Sequence, residues 1–268
     1  MLVCRHAVNL FFLYAALSSL PRPGVNAQSC IVLNLPQKLD NYRRKVEKET
    51  GRQTCIARGD KFKIAGAGAE WKQSDSFNLI IVNQQYDTAN PAKEWELAHE
   101  LTHGRIIYAR HYLHFNSEST DPSTNLIENI VSDLVVNKTI RDDGFDTIPV
   151  DYIERVRKAT SIISVRAVYP YLPQPTDPVF RSRSLVAQYL NAWGFLRYYR
   201  LDTTTSDTLN AFLIAFQRAF PAEFEMAKRI QSILERHDIF KSSGYRAAIE
   251  ECLRLWGLEN PLRDSATN

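Results

Sequence analysis

The alternation of apolar and polar residues in the first half of the chain predicts a mixture of strands and helices. Residues 36–50 repeat apolar side chains at helical spacing and are followed by Gly51, which predicts a helix that ends there. Four short apolar runs predict strands, at 30–35, 53–58, 61–65 and 77–82. Residues 66–76 contain two glycines and several polar side chains, and they predict a loop.

Longer amphipathic segments follow and predict helices. One begins at Asn90-Pro91, where asparagine suits the N-cap and proline the first helical position, and runs to His103 or beyond. A second covers about 125–140, and from Asp151 onward apolar residues recur only at helical spacing. The pattern predicts an α+β fold, with a mixed core domain over 28–148 and an all-helical C-terminal subdomain over 149–268.

The first 27 residues have the pattern of a secretory signal peptide: a basic residue at Arg5, an apolar run over 7–20, and Val25-Asn26-Ala27 as a cleavage site. The run is shorter than the roughly 20 residues of a membrane span. We therefore expect a secreted or periplasmic protein with no stable membrane span. Cleavage lowers the formal net charge from +3 to +1, because it removes two arginines and no acidic residue. A near-neutral protein is not expected to bind nucleic acid.

Three cysteines follow the predicted signal peptide, in a chain bound for an oxidising compartment. Cys30 and Cys55 can form a disulfide if the first two strands are neighbours. Cys252 lies on an apolar helical stripe, which is typical of a buried free thiol.

The most informative segment is His99-Glu100-Leu101-Thr102-His103, an H-E-x-x-H motif inside a predicted helix. Residues four apart lie one turn above each other, so the two imidazoles face one point, as a zinc ion requires. Glu100 is then placed to act as general base on a water molecule bound to the metal. The spacing predicts a Zn²⁺ site with His99 and His103 as ligands and Glu100 as the catalytic residue.

Two carboxylates in the second helix compete to be the third ligand. Asp133 belongs to a polar stripe of period four, and buried polar groups of this kind are explained by a metal and the residues around its ligands. Glu128 is the alternative, although it also fits a capping box with Asn125 as N-cap. The residues themselves leave the choice between Asp133 and Glu128 open. The stripe comprises Asn125, Asn129, Asp133 and Asn137.

The remaining histidines fit exposed positions better than catalytic ones. His111 and His114 follow the first of these helices closely, and His237 lies in a charged patch near a predicted helix end.

The H-E-x-x-H motif, followed by a helix that carries Asn129 and Asp133, resembles the zincin metallopeptidases, and most closely the gluzincins. The resemblance implies a zincin-like core of a small mixed sheet, an active-site helix and a ligand helix. It also implies a sheet edge, at 77–82 or a neighbouring strand, that pairs with an extended peptide. Thermolysin-like members have a glutamate ligand at the position of Asn129. The helix also resembles the N-x-x-x-D-x-x-x-N helix of other H-E-x-x-H domains, in which the aspartate would be the ligand.

These observations predict an exported zinc metallopeptidase that hydrolyses peptide bonds in a peptide or protein substrate. A non-catalytic binding module on a zincin fold is the alternative from a different class, and a hydrolase of amide bonds in cell-wall polymer is another. The sequence indicates neither the cleavage specificity nor the oligomeric state.

Overall fold

The computed structural model describes residues 30–31, 34–59, 68–83, 86–90, 93–114, 121–146, 148–164 and 177–258. Within these ranges the chain forms eight helices and one three-stranded mixed sheet, which confirms the α+β class and the helical character of the second half. The predicted signal peptide and the predicted strand at 61–65 lie outside the described residues, as does part of the predicted strand at 30–35.

In chain order the elements are α1 (Gln37–Thr50), β1 (Thr54–Arg58), β2 (Ala69–Lys72), β3 (Asn78–Val82), α2 (Glu94–Tyr108), α3 (Pro122–Asp142), α4 (Val150–Ser164), α5 (Pro178–Tyr198), α6 (Thr203–Ala219), α7 (Pro221–Arg236) and α8 (Ser242–Leu255). The predictions of α1, β1 and β3 are confirmed. Gly51 ends α1 in the left-handed conformation, with φ of 68°, which glycine adopts without steric cost.

The predicted loop over 66–76 is wrong in its centre, because residues 69–72 form β2. This strand pairs antiparallel with β3, while β1 pairs with β3 in parallel, so the strand order is β1-β3-β2. Residues 78–82 are therefore the central strand and not a sheet edge. Among the described strands, the edge nearest α2 is β2.

The disulfide that the sequence leaves possible is present between Cys30 and Cys55. Cys30 also forms an isolated antiparallel bridge with Ala57, and the amide of Ile31 donates to the carbonyl of Ile56 over 2.8 Å. The chain before α1 is thus fastened to β1. Cys252 is free and buried, as predicted.

The start of one helix differs from its prediction. The helix α2 is described from Glu94, and Pro91 of its predicted start lies outside the described residues. The helix α3 begins at Pro122, because Asp121 is its N-cap and accepts the amide of Ser123 over 2.7 Å. Asn125 is consequently inside the first turn of α3, so Glu128 is not the third residue of a capping box.

The helix α3 is the central support of the site. It packs against α2 on one side and against α5 and α8 on others. The α5 contact is close, since a Cβ at Gly194 would lie 2.1 Å from Cδ2 of Leu134, the residue after Asp133. One continuous buried core includes residues of the sheet, of α2 and α3 and of the C-terminal helices. None of the helices in the described part of the chain has the length and apolar character required to span a bilayer.

Candidate metal centre

Three of the predicted site residues meet between α2 and α3. Nε2 of His99 lies 3.1 Å from Nε2 of His103, and Oδ1 of Asp133 lies 3.5 Å and 3.4 Å from these two nitrogens. The two histidines lie one turn apart on α2, as the motif predicts, and Asp133 faces them from α3. The structure therefore brings together His99, His103 and Asp133 as a possible metal-binding group.

The spacing of these three atoms suits a tetrahedral metal ion. Ligands bound at about 2.0–2.1 Å with tetrahedral angles lie roughly 3.3 Å apart, close to all three observed separations. Two imidazoles and one carboxylate are also a donor set that Zn²⁺ accepts, with a fourth position left for water or substrate. The side chains of His99 and His103 are 12% and 15% exposed and that of Asp133 is 32% exposed, so the three side chains are mostly but not fully buried.

The orientation of His99 is set by Asn137, one turn after Asp133 on α3. Nδ1 of His99 lies 3.0 Å from Oδ1 of Asn137, and this carboxamide oxygen can only accept a hydrogen bond. Nδ1 therefore carries the proton, which leaves the lone pair of Nε2 directed at the metal-binding group. The ring of Trp95 packs over the same imidazole, with centroids 5.1 Å apart.

The charges of the group shift one another's pKa values. Burial favours neutral imidazole at His99, but hydrogen bonds with Asp133 and Asn137 and the charge of Asp133 outweigh it and raise the pKa of His99. For His103, burial and the charge of His99 lower the pKa. Burial favours protonation of Asp133, yet its hydrogen bonds with the two histidines hold the pKa of this carboxyl well below its usual value. Asp133 is therefore ionised and able to bind a cation.

Glu100 lies beside the ligands and is fixed by the edge strand. Its Oε2 accepts the backbone amide of Trp71 over 2.7 Å. Burial raises the pKa of Glu100 to about 8, against the lowering effects of the His99 charge and of this hydrogen bond. Burial therefore strengthens the affinity of this carboxylate for a proton, as a general base requires.

The strand β2 is fastened to α2 through two glutamates one turn apart. Oε1 of Glu96 accepts hydrogen bonds from the backbone amides of Gly68 and Ala69, at 2.7 Å and 3.1 Å. Glu100 accepts a hydrogen bond from the backbone amide of Trp71. An extended peptide placed along this edge would therefore meet backbone amides that already donate hydrogen bonds to glutamates of α2.

Gly104 permits the close approach of α2 to the sheet, because a Cβ there would lie 1.9 Å from Oδ1 of Asn78. That oxygen accepts the indole Nε1–H of Trp71 over 2.8 Å in a buried hydrogen bond. Sequence reasoning missed Trp71; the glycine after the second motif histidine was the available signal.

Glu128, the competing third ligand, is not part of the metal-binding group. Its carboxylate is buried and hydrogen-bonded to Nδ1 of His114. The expectation that His114 is simply an exposed residue is therefore wrong, since its side chain is only 24% exposed and paired with a buried acid.

Tyr245 connects α8 to this region. Its buried hydroxyl lies near the side chain of Ser132, which precedes Asp133. Burial and the nearby charges of Glu128 and Asp133 raise the pKa of Tyr245 well above its usual value, so the phenol remains neutral. The C-terminal helices thus reach the ligand helix directly, a contact that no local sequence pattern indicates.

The other two histidines lie outside the metal-binding group. Nε2 of His237 is 2.8 Å from a carboxylate oxygen of Glu251, in a pairing between the end of α7 and α8. His111 is exposed, with φ of 55°, in the turn after α2. Neither position conflicts with its predicted non-catalytic character.

The chain matches no protein-family model, no curated protein and no solved structure.

Proposed function

We propose that this protein is an exported zinc-dependent metallopeptidase with a zincin-like site, in which His99, His103 and Asp133 hold the metal. The observation that carries the proposal is the triangle of two Nε2 atoms and one carboxylate oxygen, with sides of 3.1, 3.4 and 3.5 Å, directly beside Glu100. The disulfide between Cys30 and Cys55 is consistent with export, because such bonds persist in oxidising compartments.

The roles of the residues follow from their contacts. Zinc, when bound, acts as a Lewis acid that polarises the scissile carbonyl and acidifies water. Oε2 of Glu100 is engaged by the Trp71 amide, so Oε1 is the oxygen that takes the proton from the attacking water. The protonated carboxyl can then return that proton to the leaving nitrogen.

The first test is the zinc content of the purified protein and of two variants, Asp133→Ala and Glu128→Ala. We expect close to one zinc per chain in the wild type and in Glu128→Ala, and loss of zinc in Asp133→Ala. Retention by Asp133→Ala would reject the assigned ligand set. Absence of zinc from a folded, zinc-supplemented wild type would reject the metal site and favour a binding module.

The second test separates catalysis from binding. Glu100→Gln should keep the metal, because Glu100 is not one of the three ligands, and should lose hydrolysis of fluorescein-labelled casein. Casein cleavage that survives in Glu100→Gln would refute the role of this residue. Release of dye from labelled peptidoglycan, with casein left intact by the wild type, would replace the peptidase with a cell-wall amide hydrolase.

A further inference from the structure

A second acid–imidazole pair lies next to the metal-binding group. Glu128 on α3 and His114, in the segment after α2, are hydrogen-bonded through Oε1 and Nδ1. The side chain of Glu128 is 7% exposed and that of His114 is 24% exposed. A buried carboxylate is costly unless it is paired, and the imidazole of His114 is one group that satisfies it.

Trp71 links this pair to the proposed catalytic residues. The ring of His103 stacks against its indole at 6.5 Å, with 25° between the planes, and the ring of His114 meets the same indole at 5.2 Å, edge on. The backbone amide of Trp71 holds Glu100. A metal ligand, the proposed general base and His114 therefore all contact one residue.

The pair also belongs to a second polar row on α3. Glu128 and Ser132 lie four residues apart, hence on one helical face, beside the row of Asn129, Asp133 and Asn137. Both are buried. Glu128 is hydrogen-bonded to His114, and the hydroxyl of Ser132 donates to the backbone carbonyl of Asn129. One row carries Asp133 and Asn137, and Glu128 of the adjacent row fixes the imidazole of His114.

The His114 imidazole has one ring nitrogen left for a further partner. With Nδ1 engaged by Glu128, Nε2 lies on the opposite side of the ring, and none of the described residues forms a hydrogen bond with it. A carboxylate at one nitrogen fixes the ring and leaves the other nitrogen to a different partner.

We propose that His114, oriented by Glu128, is a further catalytic residue whose Nε2 contacts the substrate group bound at His99, His103 and Asp133. The assignment rests on the proposed function. It explains why Glu128, buried in the ligand helix, is used for an imidazole and not for the metal.

The test uses acetohydroxamic acid, a small amide analogue that binds metal ions through oxygen, on the Co²⁺-loaded full chain, with the visible cobalt spectrum as readout. Loss of one hydrogen bond to a charged ligand group should weaken hydroxamate binding about 10- to 100-fold in His114→Ala. His114→Gln, which retains a polar group, should recover part of this loss. Cobalt content should equal that of the wild type.

His237→Ala is the matched control, because it also removes an imidazole paired with a glutamate, but away from the metal-binding group. It should bind hydroxamate as the wild type does. Equal hydroxamate affinity in wild type and His114→Ala would overturn the proposal, and so would loss of cobalt from His114→Ala, since the imidazole would then act on the ligands. Failure of the wild type to bind hydroxamate would overturn it as well.

The two proposals fail separately. Weakened hydroxamate binding in His114→Ala, together with a wild type that cleaves neither casein nor peptidoglycan, would reject the hydrolase and keep the contact. Cleavage of casein by the wild type, together with unchanged hydroxamate binding in His114→Ala, would keep the hydrolase and reject the contact of His114.

Discussion

Nδ1 of His99 lies 3.0 Å from Oδ1 of Asn137, across the interface between α2 and α3. This hydrogen bond joins a histidine of the proposed metal site to the helix that carries Asp133. Removal of such a partner typically lowers metal affinity 10- to 100-fold. We expect about that loss of zinc affinity in Asn137→Ala, measured by competition with a chelator. Asn129→Ala, on the same face but exposed, is the control and should bind zinc normally. Equal affinities in the two variants would contradict the role of Asn137.

Zinc affinity should rise with pH through the neutral range. The pKa of His99 is raised above 6.5 in the metal-free protein, and that of Glu100 is raised to about 8. Both groups therefore hold protons more strongly than usual, and a bound cation opposes this protonation. A histidine must be neutral to bind zinc, so binding releases protons and weakens as the pH falls. Calorimetry at pH 6.5 in buffers of different ionisation enthalpy should detect this release. A binding enthalpy independent of the buffer would contradict it.

The same pKa shifts predict the pH dependence of stability without metal. The raised pKa of His99 gives stability that is present below pH 6.5 and is lost as pH rises through the folded-state value. The lowered pKa of Asp133 gives stability that is present above 3.8 and is lost as pH falls through its folded-state value. Asp133→Asn should therefore lower the free energy of unfolding of the metal-free protein more at pH 5.5 than at pH 9. Urea denaturation at both pH values measures the difference, and a larger effect at pH 9 would show the sign to be wrong.

Local spacing predicts the part of the site that one helix carries. His99 and His103 face one point because helical geometry alone fixes residues four apart. The row of Asn129, Asp133 and Asn137 likewise indicated the correct face of α3. Glu128 could not be assigned in this way, since its partner His114 precedes α3 and reaches it only through tertiary packing.

The strand β2 was missed for a related reason. Its residues are held by the ladder to β3 and by Glu96 and Glu100 of α2, which lie 27 to 29 residues away along the chain. The start of α3, in contrast, had a local signal in Asp121-Pro122, an N-cap residue followed by proline, and this was readable from the sequence.

Gly104→Ala should destabilise the protein by about 1–3 kcal/mol, the usual cost of an overpacked methyl group. The added Cβ would lie 1.9 Å from Oδ1 of Asn78 and 2.8 Å from Nε1 of Trp71, so the buried hydrogen bond between these residues must shift. Because the Trp71 amide holds Glu100, casein hydrolysis should also fall in the folded variant. Urea denaturation and the casein assay measure the two effects. If Gly104→Ala were as stable as the wild type, α2 and β2 would be able to move apart without loss of stability.

Tyr245 and Tyr112 offer a paired test of the contact between α8 and the ligand helix. Their rings pack edge to face at 4.9 Å, and both residues are buried, but their hydroxyls differ. That of Tyr245 interacts with the side chain of Ser132, whereas that of Tyr112 has no hydrogen-bond partner among the described residues.

Tyr245→Phe should therefore lower the free energy of unfolding by about 1–2 kcal/mol, because it removes the polar interaction of a buried hydroxyl with Ser132. Tyr112→Phe should be neutral or stabilising, because it removes a buried polar atom that no described group satisfies. Urea denaturation of both variants, with zinc removed, gives the comparison. Equal destabilisation in the two would mean that the hydroxyl of Tyr245 adds nothing to the support of α3, and that ring packing alone joins the C-terminal helices to the site.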